Sequence, residues 1–150
     1  MQISDILSKN DVIIDEKIAS KKQTLECLAR LASAATHLDE RLIFDALLER
    51  ERLGTTGVGH GVALPHARLA DLKKIYCAFL KTKPLDFEAV DAKNVDLVFL
   101  LLVPEDAGAD HLKALARLSK LLRNEEVAAQ LRATNSASAL YKIILENDVD

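Results

Sequence analysis

The chain has 150 residues, of which 49% are hydrophobic and 29% are charged, and its formal net charge is −3. This size and balance indicate a soluble globular protein, and we expect residues 1–150 to form a single domain. The basic residues are scattered, aromatic residues are few and tryptophan is absent, so the chain lacks the basic, base-stacking surface of a nucleic-acid-binding protein.

The N-terminal segment and the longest apolar run argue against export and membrane insertion. The first ten residues, MQISDILSKN, have neither a positive region nor an apolar region of a signal peptide. The apolar run at residues 97–103 is far too short to span a bilayer. Cys27 and Cys77 each lie in an apolar segment, which is typical of buried reduced thiols. We therefore expect a cytoplasmic protein with no membrane insertion and no disulfide.

The N-terminal third is predicted to contain one strand and two helices. Residues 2–7 predict one helical turn, and the β-branched run at residues 12–14 predicts a strand. Ser20 is a good N-cap for the first helix, and Asp39 is one for the second. The second helix should end just before Gly54, a residue typical of the position after a helix. The apolar residues expected on the buried faces are Leu25, Leu28, Ala29 and Ala32 in the first helix, and Leu42, Ile43, Ala46 and Leu47 in the second.

The middle of the chain is predicted to supply three strands. Residues 62–64 predict the first, and residues 75–80 predict the second, which should end before the turn signal Lys83-Pro84. Residues 95–103 form the strongest strand pattern and are nearly all apolar. We therefore expect this strand to be central, covered on both faces and ended by Pro104.

The C-terminal third is predicted to be helical. Asp110 caps one helix, a shorter helix starts after Asn124, and a last helix starts at Ser136. The residues expected to face inward are Leu112, Leu115, Ala116 and Leu118 in the first of these helices, and Leu140, Ile143 and Ile144 in the last. The alternation of helices and strands predicts an α/β fold, a three-layer sandwich with a mixed central sheet flanked by helices.

The segment TTGVGHGVALPHAR at residues 55–68 is the strongest candidate for chemistry. Pro65 fixes its own φ and favours an extended Leu64, so His66 should lie at the rigid end of a strand. The preceding glycines let a bulky anion approach the backbone. A neutral imidazole is a nucleophile near pH 7, which suggests phosphoryl chemistry at His66. The alternative is a structural histidine whose nitrogens bind the backbone.

Two further residues carry functional hypotheses. His111 lies in the first turn of a predicted helix, where free N–H groups favour a phosphate oxygen; the alternative is an exposed histidine without a role. Arg50 lies in the last turn of the second helix, before the glycine-rich loop. Its guanidinium could neutralise phosphoryl oxygens, or it could be a solvated side chain that suits the negative end of the helix.

Other motifs fail on spacing. The segment GVGHG at residues 57–61 has its third glycine one position early for a dinucleotide fingerprint and leads into a strand. A metal site at His60, His66 and residues 110–111 is disfavoured because neither cysteine joins them and no zinc spacing is matched. We expect no cofactor.

Five segments together resemble one known family. In chain order, SKKQTLECLARLA, LLERERLGTTG, GVGHGVALPHAR, VDLVFLLLVPED and HLKALARLSKLL resemble the corresponding segments of the mannitol/fructose-type IIA domains of the bacterial phosphotransferase system. The resemblance covers essentially the whole chain and is closest to the stand-alone nitrogen-regulatory branch. The nitrogen-regulatory branch often has asparagine at the position of His60, so this histidine could alter the pocket or add a second titrating group.

The resemblance implies a set of site residues. His66 would carry the phosphoryl group, with Arg50 and His111 stabilising its charge. Loop N–H groups would assist them, and the phosphoryl-binding loop would comprise Thr55, Thr56, Gly57, Gly59 and His60. The family uses no metal for this transfer.

The resemblance also implies partners and alternatives. A histidine-phosphorylated, nitrogen-type HPr-like carrier would donate the phosphoryl group, and the product would regulate targets such as potassium transporters or sensor kinases. The first alternative is a sugar-uptake IIA component that passes phosphate to a fructose- or mannitol-type IIB domain. The second is a small-molecule-binding module that has lost transfer activity, against which the presence of all three site residues argues.

Overall fold

The computed structural model describes residues 1–149. A short 3₁₀ turn at Ile3–Asp5 opens the chain. The strands and helices that follow are β1 (Leu7–Ile14), α1 (Lys21–Thr36), α2 (Glu40–Leu53), β2 (Gly57–Gly59), β3 (Val62–Ala63), β4 (His66–Leu69), β5 (Tyr76–Leu85), β6 (Val95–Pro104), α3 (Ala109–Arg123), α4 (Glu125–Ala133) and α5 (Ala137–Glu146).

Four of the predicted helix starts are confirmed by their capping contacts. The Ser20 hydroxyl accepts from Gln23 N at the start of α1, and the Asp39 carboxylate accepts from Leu42 N at the start of α2. Asn124 and Ser136 cap α4 and α5 in the same way. These side chains satisfy N–H groups that have no partner within the helix, which is why short polar residues locate helix starts so well.

The sheet is mixed, as predicted. Its order is β1-β5-β6-β3-β2, and β4 also pairs with β6. Strands β5 and β6 are antiparallel, whereas β1 runs parallel to β5, and β3 and β4 both run parallel to β6. Ala63 pairs with Val98 and His66 with Leu101, so the register along β6 continues from β3 into β4. These two strands are therefore one extended stretch, interrupted at Leu64 and Pro65.

Strand β6 is central and buried on both faces, which confirms the prediction. Its even-numbered side chains from Val98 to Leu102 pack with α1 and α2, and its odd-numbered side chains from Leu97 to Val103 pack with α3, α4 and α5. The fold is thus three layers with a hydrophobic core on each side of the sheet. Cys27 and Cys77 are both buried, as expected, and the described residues contain no disulfide between them.

The turn predicted at Lys83-Pro84 is wrong. Strand β5 continues through both residues to Leu85, which pairs with Val95 of β6. The register shifts between Lys81 and Leu85, and this irregularity accommodates a proline that cannot donate to the ladder.

The predicted start and inward face of α3 need correction. The helix begins after Gly108, whose φ is 59°, so Asp110 is its second residue and not its N-cap. The buried residues are Ala114, Leu118, Leu121 and Leu122. Leu112 is 67% exposed, and Ala116 is exposed too. Apolar residues occur on several sides of this helix, and packing on β6 selects the stripe that is buried.

Two smaller differences concern residues assigned to the core. Leu42, predicted to be buried on α2, is exposed because the buried stripe of that helix runs through Ile43, Leu47 and Glu51. Ile143 of α5 is only partly buried.

None of the helices in residues 1–149 combines the length and the apolar composition that a membrane-spanning helix needs.

Candidate functional site

Three elements bring together the three residues singled out by sequence. Arg50 lies in the last turn of α2, His66 is the first residue of β4, and His111 lies in the first turn of α3. Pairing with Leu101 on the central strand fixes the position of His66 along the sheet. The rings of His66 and His111 meet edge to face, with centroids 5.8 Å apart and planes inclined by 64°.

The hydrogen bonds of His66 define which ring nitrogen carries the proton. Its Nδ1 lies 2.9 Å from the carbonyl oxygen of Leu64. A carbonyl can only accept, so Nδ1 carries the proton and Nε2 holds the lone pair. The Nε of Arg50 donates to that lone pair at 3.3 Å, and its Nη1 donates to the Gly54 carbonyl at 2.8 Å. The arginine is thus held between the end of its helix and the imidazole.

The environment of His66 favours the neutral imidazole. Burial lowers the pKa of His66 below its ordinary value, and the nearby Arg50 charge lowers it further. The hydrogen bond to Leu64 and the charge of Glu51 act in the opposite direction without reversing the shift. A neutral ring with a proton fixed on Nδ1 has a nucleophilic Nε2 at physiological pH.

His111 has an unsatisfied polar atom. Its Nδ1 is buried and makes no hydrogen bond to any residue in the described part of the chain. Burial lowers the pKa of His111, and the charges of Arg68 and then His66 add to that effect. A buried nitrogen without a partner has a cost, which an incoming hydrogen-bonding group can relieve.

Arg68 is a cationic neighbour that sequence reasoning missed. It lies two residues after His66 on β4, and both are less buried than Ala67 between them. Its Nη1 donates to the Glu105 carbonyl at 3.0 Å, in the segment that leads from β6 into α3. The alternation of side chains along a strand, counted from His66, would have identified it.

Glu51 is a second residue that the sequence analysis missed. It is buried, its carboxylate accepts from the Thr56 backbone N at 3.0 Å and from the Thr56 hydroxyl, and it pairs with Lys21 at 2.9 Å. The signal was its spacing of four and eight residues from Leu47 and Ile43 on the buried stripe of α2.

The five residues predicted to form a phosphoryl-binding loop make contacts of their own. Thr55 donates its hydroxyl to the Phe87 carbonyl at 3.2 Å and accepts from Gly57 N at 3.1 Å, while Thr56 binds Glu51. The His60 backbone N donates to Asp91 at 2.9 Å, and the carboxylate of Asp91 lies against Gly59. His60 itself is exposed in the turn between β2 and β3. The described contacts of these residues therefore brace the loop against Glu51, Phe87 and Asp91.

Among residues 1–149, no group of three or more His, Cys, Asp or Glu side chains is arranged to hold a metal ion.

Comparison with known proteins assigns the chain to a family. The family described as the phosphoenolpyruvate-dependent sugar phosphotransferase system, EIIA 2, matches residues 5–147. The chain belongs to this family. The resemblance seen in the sequence is thereby confirmed, and with it a phosphotransferase role in the general sense.

The chain is similar to nitrogen regulatory proteins and also to a sugar-specific EIIA component. A nitrogen regulatory protein of Bradyrhizobium diazoefficiens is 50% identical over 145 residues, covering 96% of this chain and 95% of the relative. The crystal structure of nitrogen regulatory protein IIA-Ntr from Neisseria meningitidis superposes with a TM-score of 0.89 at 37% identity, covering 95% and 98% of the two chains. A fructose-specific EIIA component of Haloferax volcanii is 38% identical, covering 96% and 95%.

Proposed function

We propose that this EIIA chain is a phosphohistidine carrier that accepts a phosphoryl group on Nε2 of His66 and regulates partner proteins through its phosphorylation state. The observation that carries this proposal is the pair of contacts on the imidazole ring. The Leu64 carbonyl accepts a hydrogen bond from Nδ1–H, and the Nε of Arg50 faces the Nε2 lone pair. The ring is therefore oriented and in the nucleophilic tautomer before a donor arrives.

The transfer is an in-line exchange between two imidazoles. The Nε2 lone pair of His66 attacks phosphorus, the bond from phosphorus to the donor nitrogen breaks, and its electron pair stays on the donor imidazole. The Nδ1 proton stays in its hydrogen bond to the Leu64 carbonyl, so no general base is needed. Positioning and electrostatic stabilisation supply the catalysis, as is general for phosphoryl transfer.

Three groups around His66 are suited to the phosphoryl oxygens. Arg50 moves its Nε donor from the lone pair to an oxygen of the incoming group, while its bond to Gly54 keeps it in place. His111 offers a ring nitrogen beside His66 and gains the partner that it lacks. Arg68 adds positive charge on the same side of β4. Charge-assisted hydrogen bonds of this kind contribute about 1.5–3 kcal/mol each.

The donor we propose is a histidine-phosphorylated, nitrogen-type HPr-like carrier. Two large apolar side chains that are close in sequence to site residues are exposed: Leu53, three residues after Arg50 and 81% exposed, and Leu112, next to His111 and 67% exposed. Apolar residues that surround a polar centre are a common arrangement in transient protein interfaces. The phosphoryl-binding loop of Thr55, Thr56, Gly57, Gly59 and His60 also remains part of this proposal.

The output of the carrier is a change of surface charge. A phosphoryl group on His66 adds negative charge to the surface around the site, and this changes which proteins that surface can bind. We propose that these targets include potassium transporters or sensor kinases and that the protein acts in the cytoplasm. The name of the Bradyrhizobium relative supports the regulatory branch.

The test is incubation with the phosphorylated carrier, followed by mapping of the acid-labile label by mass spectrometry. Label is expected on His66 and should be lost in His66→Ala. His60→Asn is the matched control and should accept label at the wild-type rate. Label on His60 would refute the site. A missing label with the carrier, but label on His66 from the small donor phosphoramidate, would refute only the donor.

A second candidate function is favoured by the fructose-specific relative. In this case the chain would pass its phosphoryl group to a fructose- or mannitol-type IIB domain during sugar uptake. Mixing the phosphorylated chain with such a IIB domain distinguishes the two functions. Rapid loss of label from His66 to the IIB domain would favour sugar uptake over regulation.

A further inference from the structure

A cavity of about 770 Å³ lies on the α3–α4 side of the sheet, behind the turn between β2 and β3. Its wall includes the turn at Gly61, the C-terminal part of α3 and one side of α4, and His66, Arg50 and His111 do not line it. Its size is within the range of small-molecule pockets. The proposed phosphoryl transfer does not use this space.

The floor of the cavity is apolar. The side chains that form it come from β3, the segment before Pro65 and the two helices: Val62, Leu64, Leu122 and Ala128. All four are buried within the core on that side of the sheet, so the floor is fixed by packing. Such a surface favours the hydrocarbon part of a ligand.

The polar rim of the cavity has an excess of positive charge. Its lining includes three cations, Lys93, Arg123 and Arg132, and two carboxylates, Asp96 and Glu125, which gives a formal net charge of +1 in a chain whose overall charge is −3. Arg132 donates to both carboxylate oxygens of Asp96, at 3.0 and 2.9 Å. Within residues 1–149, neither Lys93 nor Arg123 has a carboxylate within salt-bridge distance, and the charge of Lys93 acts only at longer range on the exposed Asp91, whose pKa it helps to lower. Two cations therefore remain to attract an anion.

The polar wall is also rigid. Arg132 donates through Nη2 to the His60 carbonyl at 2.8 Å, and the Gly61 carbonyl accepts from Asp96 N at 3.0 Å and Leu97 N at 3.2 Å. A Cβ at Gly61 would clash with Arg132 Nη2, so the turn and the guanidinium are in close contact. A ligand would enter a preformed site, which reduces the entropic cost of binding.

We propose that this cavity binds a small organic anion with an apolar group. The anionic group lies between Lys93 and Arg123, and the apolar group lies on the floor beside Leu64 and Leu122. Charge complementarity at the rim and the apolar floor select such a ligand over a neutral or cationic one. The site goes beyond the proposed phosphoryl transfer and does not depend on it.

The experiment uses the unphosphorylated protein and two fluorescent probes. One is 8-anilinonaphthalene-1-sulfonate, and the other is N-phenyl-1-naphthylamine, which has the same ring system without the anion. We expect the sulfonate to bind saturably, with ligand-induced shifts in the amide NMR spectrum centred on Gly61 and Val62. In Lys93→Glu/Arg123→Glu its affinity should fall about tenfold or more, whereas the neutral probe should be little affected.

The control is Lys9→Glu, which makes the same charge change as Lys93→Glu alone, but at an exposed lysine on β1. It should bind the sulfonate within about twofold of the wild type, whereas Lys93→Glu should bind it more weakly. Circular dichroism checks that each variant is folded. If the double variant does not fold, the affinity of Lys93→Glu alone is compared with that of the control. The proposal is overturned if the sulfonate does not saturate, if the shifts map to another surface, or if the charge-reversed and wild-type proteins bind it equally.

Discussion

Replacing Arg50 by alanine should slow phosphoryl acceptance by His66 without unfolding the protein. The substitution removes the Nε donor that lies 3.3 Å from His66 Nε2 and the charge that would face the transferred group. A charge-assisted hydrogen bond is worth about 1.5–3 kcal/mol, and loss of that stabilisation in the transition state corresponds to a roughly 10- to 160-fold lower rate. The lost bond to the Gly54 carbonyl should cost about 0.5–1.5 kcal/mol of stability.

The matched control is Arg52→Ala. Arg52 is in the same turn of α2, but it is exposed and pairs with Glu49 at 3.0 Å. The assay is the initial rate of label on His66, first with the phosphorylated carrier and then with phosphoramidate. A defect with both donors locates the effect at the acceptor rather than at docking. The reasoning is refuted if Arg50→Ala and Arg52→Ala accept label at the same rate.

Three other measurements test the electrostatics of the site. Because burial lowers the pKa of His66, its imidazole NMR resonances should titrate with a midpoint below about 6.5. Nε2 then stays unprotonated at a pH where an ordinary histidine is half charged. A midpoint above this value would contradict the reasoning. Glu51→Gln leaves Lys21 without its buried ionic partner and should lower the free energy of unfolding in urea by about 1–3 kcal/mol. Glu49→Gln, at an exposed ion pair, is the control and should change that free energy by less than about 0.5 kcal/mol. Equal losses in the two variants would show that Glu51 does not stabilise the loop. Phosphorylation of His66 should raise the pKa of His111. One negative charge at the 5.8 Å ring separation favours the imidazolium form of His111 by roughly 0.7–3 kcal/mol. An unchanged NMR titration of His111 would show that the two rings do not interact.

Features that depend on local chemistry were well predicted from the sequence. Ser20 and Asp39 mark helix starts because capping involves only a residue and its neighbours three positions ahead. The apolar run of β6 indicated a central strand because both of its faces had to be buried. His66 was recognisable because the glycines and the proline that shape its surroundings are adjacent in sequence.

Features that depend on distant packing could not be predicted in this way. The buried side of α3 is decided by which stripe meets β6, so Leu112 was assigned to the core although it is exposed. Glu51 resembled part of a charged surface because its partners Lys21 and Thr56 meet it only after α1 and the loop have folded. The close contact of His66 and His111 likewise joins segments 45 positions apart.

The interruption between β3 and β4 determines how the imidazole responds to mutation. The Pro65 carbonyl accepts from Leu101 N at 3.0 Å, and Leu64 N donates to the Thr56 carbonyl at 2.9 Å, so both residues are tied into the surrounding backbone. The group that holds the His66 ring is the main-chain oxygen of Leu64, which every amino acid possesses. No single amino-acid substitution can delete this acceptor. Substitution of Leu64 therefore leaves the hydrogen bond that selects the His66 tautomer in place. The side chains around the ring can change to suit new partners without loss of that acceptor.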